Sequence, residues 1–215
     1  MPQVVLATKN QDKLRELRRL LGGTKIKVLS LAGFPECPDV KETGKTFEAN
    51  AKLKARFYSK HVGGLLALAD DSGLTVNALN GRPGVYSARF ACPGARFAQR
   101  STGTGPGCTY QDNNKKLLRL LKEVPLSKRG AKFVCVVALA EGGRCVSVVR
   151  GECRGRIAFS EKGRLGFGYD PVFIPKGSIR TFAEMAPHAK ARVSHRGKAM
   201  RAAKRALLVY FRRAG

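Results

Sequence analysis

A chain of 215 residues with 43% hydrophobic content can bury a substantial core and is too apolar to be disordered throughout. Its 41 Lys and Arg against 15 Asp and Glu leave a formal charge of +26, a surface that attracts polyanions. No apolar run approaches the roughly 20 residues of a membrane helix. The N-terminal "MPQVVLATKNQDK" has no basic region ahead of a long apolar segment, which predicts no secretory signal and a cytoplasmic protein. The six cysteines form no C-x-x-C pair and have no His at zinc spacing, so they read as reduced thiols.

In chain order, "VVLAT" (Val4 to Thr8) reads as a short buried strand running into "NQDKLRELRRLLG". There Leu14, Leu17, Leu20 and Leu21 recur at helical spacing, Asn10 is a natural N-cap and Gly22 ends the helix. Ile26 to Leu31 is a second strand. Thr46 to His61 is a second helix, with Phe47, Ala51 and Leu53 to Ala55 expected on its buried side. "LLALADDSGLTVNAL" reads as strand, acidic turn and strand, and "GRPGVYSAR" as a glycine-proline turn.

Residues 91–110 are loop-like, and "DNNKKLLRLLKEV" is a third helix. "AKFVCVVALAEGG" and "RCVSVVRGECRGRIA" read as paired strands joined by Glu141 to Gly143, and a long helix starts at about Ser194. No repeat period and no linker divides residues 1–215. The loose alternation of strands and helices gives an α/β class with a mixed sheet.

Two apparent nucleotide motifs fail. "TGKTF" ends like a phosphate-binding loop, but Asp39 stands where that motif needs a glycine. "GTGPGC" lacks a preceding strand and has Cys108 at its third glycine position. What remains is dispersed. In "ATKNQDK" a strand ends where a helix begins, so free N–H groups and the helix dipole face one point, with Thr8, Asn10 and Lys13 nearby. A capped helix with a solvated lysine would look the same. In "ADDSGL", strand alternation sends Asp70 and Asp71 to opposite faces, so that one can enter a cleft while the other satisfies the turn. Such oxygen ligands suit Mg²⁺, with Glu42 of "KETGKTF" a candidate second ligand. "GFGYDPVFIP" reads either as a turn entering a strand or as a pocket where backbone approaches a planar ligand. "VSHRGKA" sets His195 and Arg196 at a helix start, five residues beyond Lys190.

Six blocks, "VVLATKNQDKLREL", "ETGKTFEANAKLKAR", "ALADDSGLTVNALNGRPGVYSAR", "GFGYDPVFIP", "TFAEM" and "K-x-x-x-SHRGKA", occur in one order over nearly the whole chain. Together they closely resemble the inosine triphosphate pyrophosphatase family, in particular its bacterial dITP/XTP pyrophosphatases. The resemblance implies a single two-lobed domain over residues 1–215, built on an elongated mixed sheet flanked by helices, that forms a homodimer. It implies Mg²⁺-dependent hydrolysis of ITP, dITP and XTP to the monophosphate and pyrophosphate.

Matched motif by motif, it assigns Thr8, Lys9, Asn10, Gln11, Asp12 and Lys13 to the triphosphate. It makes Asp71 the catalytic proton acceptor and a metal ligand, Glu42 the other metal ligand, and Ser72 a substrate contact. Phe167, Gly168, Tyr169 and Asp170 would form the nucleoside pocket with Lys190, His195 and Arg196. Phe167 would offer a stacking face and Asp170 an acceptor. Selectivity would come from a 6-oxo group that accepts hydrogen bonds where a 6-amino group would set donor against donor.

The Gly/Arg-rich stretch 91–110, the "APHAK" before Lys190 and the +26 charge depart from the family pattern. A nucleic-acid-binding protein on the same scaffold is the alternative. Against it stand the intact acid pair and phosphate loop, because a pure binder has no need of carboxylates that repel phosphates. Contact with nucleic acid is expected only through non-specific surface charge, and no membrane partner is expected.

Overall fold

The computed structural model describes residues 1–8, 11–92 and 109–213; the side chains of Gln11, Asp12, Glu16 and Leu20 lie outside that description. Among the described residues six strands make one sheet: β1 (Gln3–Leu6), β2 (Lys27–Ser30), β3 (Leu66–Val76), β4 (Gly130–Glu141), β5 (Arg144–Ile157) and β6 (Phe173–Pro175). Their order is β2-β1-β3-β4-β5-β6. β1 is parallel to β2 and β3, and β6 is antiparallel to β5, so the sheet is mixed as expected. The helices are α1 (Gln11–Leu21), α2 (Phe47–Ser59), α3 (Tyr110–Leu120), α4 (Pro187–Val193) and α5 (His195–Arg213). None of them is long and apolar enough to cross a membrane.

The chain divides into two compact units. The first holds Met1–Asp71, Cys135–Gly151 and Arg196–Gly215; the second holds Ser72–Val134 and Glu152–His195. In the first unit, alternate strand residues Val4, Leu6, Leu66, Leu68, Val137 and Leu139 turn one face of the sheet into a core. Leu14, Leu17 and Leu21 of α1 and Met200, Ala203 and Leu207 of α5 close over it, each set at helical spacing. The second core gathers Leu74, Phe133, Ile157, Phe173 and Phe182. Its Phe133 and Phe173 rings meet edge to face at 4.7 Å.

Sequence and structure part company in three places. β3 runs unbroken from Leu66 to Val76, so Ser72 and Gly73 do not form the expected acidic turn. The turn-prone pair is held extended in part because the Leu74 amide donates to Ser87 Oγ at 2.9 Å. The short helix α4 was not anticipated, although Pro187 at its start is a recognisable helix-opening signal. On α2 the half-buried Phe47 yields its expected place to a polar residue, the buried Asn50. Asn10, expected as an N-cap, and most of the 91–110 loop fall outside the described residues.

One cation is structural. Arg129 is 1% exposed, and all its named acceptors are main-chain carbonyls. Nε donates to Ile157 O, Nη1 to Leu121 O and Val124 O, and Nη2 to Ala158 O, over 2.7–3.2 Å. Burial pulls its pKa down, and these bonds offset part of that cost. Arg129→Leu is expected to lower the unfolding free energy by about 3 kcal/mol or more, because three buried bonds and one half-buried bond to main-chain carbonyls are lost together. Urea denaturation measures this, and a loss below about 1 kcal/mol would show that the carbonyls find other donors.

Candidate active site

In the first unit the segment expected to hold the triphosphate, residues 8–13, follows β1. The Ala7 amide still bonds Leu68 O at 2.8 Å, after which the chain leaves the sheet at the half-buried Thr8. Lys9 and Asn10 lie outside the described residues, as do the side chains of Gln11 and Asp12. Lys13, in the first turn of α1, donates to Asp70 Oδ1 at 2.8 Å. Arg196 Nη2 stands 4.0 Å from Asp70 Oδ2. Burial alone would push the Asp70 carboxyl up, but Lys13, Arg196 and Lys54 outweigh it and hold its pKa at about 2. Arg196, expected with the nucleoside pocket, thus lies beside a carboxylate of the first unit.

Asp71 points the other way, as alternation along β3 requires. Its Oδ1 lies 3.2 Å from Lys54 Nζ, and its Oδ2 accepts from Asn50 Nδ2 at 3.3 Å. The same Lys54 ammonium donates to Glu42 Oε1 at 3.0 Å. Burial raises the Asp71 pKa; Lys54 opposes that rise and Glu42 adds to it. Asn50 also accepts the Gly44 amide at 2.7 Å, which ties the Glu42 loop to the Asp71 side chain. A Cβ at position 44 would sit 2.5 Å from Asn50 Oδ1 and 2.9 Å from Ala49 Cβ, so this approach needs glycine.

Asn50 and Lys54 were both missed by sequence reasoning. Their signal was an i,i+4 pair of polar residues on a helix face expected to be apolar.

The residues suit a hard divalent ion. Two carboxylate oxygens already converge on one cationic nitrogen, and Mg²⁺ is commonly held by one or two carboxylates with substrate phosphates completing the shell. Among the described residues no group of three or more His, Cys, Asp or Glu offers a fuller cage.

In the second unit Gly166 has φ of +79°, and a Cβ there would run into the Asp170 carboxylate. That close approach explains the glycine before Phe167. Asp170 Oδ2 accepts from the Phe167 amide at 2.8 Å and from Lys190 Nζ at 2.5 Å. Lys190 Nζ also lies 5.3 Å from the Phe167 ring centroid, a cation–π distance.

Phe167 and Gly168 are half-buried, whereas Tyr169 and Asp170 are buried. Tyr169 belongs to the second core, and its hydroxyl donates to Ser87 O at 2.8 Å, so its ring anchors the loop. Asn114 of α3 donates to Gly168 O at 3.1 Å, another support that sequence reasoning missed. His195 stacks on Phe133 at 4.5 Å and 7°, and Ser72 is half-buried in β3. A separate cavity of about 430 Å³, lined by Asn77, Glu123, Pro125 and Lys128 among others, includes none of these residues.

Comparison with known proteins follows the same lines. Residues 4–206 match the model of the Ham1 family. The dITP/XTP pyrophosphatase of Geobacillus kaustophilus is 45% identical over 200 residues, covering 93% of this chain and 91% of the relative. That of Oceanobacillus iheyensis is 41% identical over 93% of this chain and 95% of its own. Among solved structures, a HAM1 protein from Coxiella burnetii superposes with a TM-score of 0.83 at 39% identity, covering 99% of this chain and 100% of that one. A nucleoside-triphosphatase / dITP/XTP pyrophosphatase from Mycobacterium abscessus gives 0.73 at 43% identity, over 93% and 97% of the two chains.

The depressed pKa of Asp70 carries a consequence for stability. A carboxyl moved from 3.8 to about 2 contributes stability that is fully present above its unfolded pKa and is lost as pH falls through about 2. Asp70→Asn should remove about 2 kcal/mol at pH 7 and flatten the stability profile between about pH 4 and pH 2. Urea midpoints across that range measure both effects. An unchanged midpoint at pH 7 would show that Lys13 and Arg196 gain nothing from the charge.

Proposed function

The chain belongs to the Ham1 family, and we propose that it hydrolyses non-canonical purine nucleoside triphosphates (ITP, dITP, XTP) to the monophosphate and pyrophosphate. The observation that carries this reading is the successive pair Asp70–Asp71, one carboxylate neutralised by Lys13 and Arg196 and the other by Lys54. Cations held around two carboxylates of β3, with Lys13 coming from the helix that follows the β1 loop, suit a phosphorylated substrate.

In this reading Asp71 accepts the proton of the water that attacks the α-phosphorus, while the α–β anhydride bond breaks and pyrophosphate leaves. Burial raises its pKa, which makes it a stronger base than an exposed carboxylate. A divalent cation on Glu42 and Asp71, Mg²⁺ in this proposal, supplies charge neutralisation at the phosphates. Lys13 offsets the charge on the departing pyrophosphate. The 8–13 loop receives the triphosphate, and Phe167 stacks on the base while Lys190 and Asp170 fix the loop that carries it. Ser72, His195 and Arg196 complete the substrate contacts. A homodimer and a cytoplasmic setting belong to the same proposal.

The deciding experiment is pyrophosphate release from ITP, XTP, dITP, ATP and GTP, with and without Mg²⁺. Turnover of ATP and GTP matching that of the other three would overturn the substrate assignment. Asp71→Asn should reduce kcat by about 10²–10⁴-fold, the usual contribution of a general base, with the circular dichroism spectrum preserved. Retention of a tenth of wild-type kcat would remove Asp71 from that role. Lys13→Ala should raise KM for ITP more than it weakens binding of IMP, because its charge acts on the β and γ groups. Equal losses for the two ligands would place Lys13 elsewhere.

A further inference from the structure

We propose that Lys54 is the resident counter-cation of the Glu42–Asp71 pair and competes with the divalent ion for the same two oxygens. The inference rests on the reading of Glu42 and Asp71 as the metal-binding carboxylates, and it assigns Lys54 a part in metal affinity.

The geometry is specific. Lys54 Nζ lies 3.0 Å from Glu42 Oε1 and 3.2 Å from Asp71 Oδ1, so both oxygens face one ammonium group. The side chains of Lys54 and Asp71 are 11% and 13% exposed, which strengthens their electrostatics, while the Glu42 end of the contact opens to solvent. A Mg²⁺ ion needs its oxygen ligands at about 2.0–2.1 Å, far closer than an ammonium allows. The ion and Nζ therefore cannot both sit between these two oxygens, and binding requires Lys54 to withdraw.

Withdrawal is feasible for this residue type. The flexible four-carbon stem of a lysine leaves its head group free to move by rotamer change alone. Asn50 does not leave with it, because its amide bonds both Asp71 Oδ2 and the Gly44 amide. The carboxylates would thus stay in place while the cation between them changes. Before the exchange, Lys54 offsets the mutual repulsion of the two acids; after it, its charge is available to the newly bound phosphates. Charge on this pair is never left uncompensated, and the cost is a weaker affinity for the metal alone.

The test is calorimetric titration of the nucleotide-free protein with Mg²⁺ at low ionic strength, in wild type, Lys54→Gln, Lys54→Arg and Glu42→Gln. Lys54→Gln should bind Mg²⁺ at least about tenfold more tightly, since a like charge has been removed from the ion's position. Its melting temperature should also rise more on adding Mg²⁺ than that of the wild type. Lys54→Arg keeps the charge and should stay near wild-type affinity. A residue that merely held the fold together would, on removal, leave metal affinity unchanged or weaker, and that result in Lys54→Gln overturns the inference. Glu42→Gln separates the two levels of the argument. If it leaves Mg²⁺ binding intact, the metal-pair reading itself fails. If it abolishes binding while Lys54→Gln fails to tighten it, only the role of Lys54 fails.

Discussion

Two carboxylates in succession on one strand are the constraint around which the rest is arranged. Alternation sends Asp70 and Asp71 to opposite faces of β3, so their nearest partners differ, although Lys54 acts on both. Asp70 is buried and held ionised by Lys13, Arg196 and Lys54 together. Asp71 is half-buried, and burial prevails over its single lysine. Adjacent residues of the same type are driven in opposite directions by their surroundings, one toward a fixed charge and the other toward a usable base. The helices that supply the cations follow from this. Lys13 must lie one turn into α1, Lys54 must follow Asn50 by one turn on α2, and Arg196 must open α5.

Much of this was legible in the sequence because it rests on local pattern. The leucines of α1 at positions 14, 17 and 21 announced a helix with one buried face, and that face lies in the first core. The Lys13 position could be read because a strand end and a helix start bracket it, whereas Glu42 and Asp71 took their proposed roles from the family resemblance. Reading failed where tertiary contact overrode a local signal. Ser72-Gly73 looked like a turn, yet a distant serine completes the backbone bonding and keeps the strand extended. On α2 the expected buried side, Phe47, Ala51 and Leu53 to Ala55, leaves out Asn50 and gives Lys54 no role. Nothing within a turn of either marks the carboxylates each meets, because Asp71 is 21 and 17 residues away along the chain.

The aromatic loop shows a related division of labour. In "GFGYD" only Phe167 and Gly168 remain partly open, while Tyr169 is committed to the second core and Asp170 to Lys190 and the Phe167 amide. Asp170 therefore closes a short ring of hydrogen bonds that stiffens the turn, and Gly166 is required because a side chain would occupy the carboxylate's space. Asn114 and Ser87 fix the loop from two further elements. In its proposed role as a stacking face, a ring held in this way would lose little entropy when a base settles on it, which is the advantage of preorganisation.

Charge balance separates the local site from the surface. Around β3 the acids Glu42, Asp70 and Asp71 face the cations Lys13, Lys54 and Arg196, so the cluster is formally neutral. The chain's +26 therefore lies elsewhere, as on α5, where Lys198, Arg201, Lys204, Arg205, Arg212 and Arg213 occur without a single acid. A surface of that kind raises the local concentration of any polyanion but cannot choose among them, and salt screens it within about 10 Å at 0.1 M. A neutral cluster, in contrast, gains a net attraction for triphosphate only when a further positive charge enters it. The proposed divalent ion supplies that charge where Lys54 now stands, so the exchange between them would switch the cluster from balanced to phosphate-attracting.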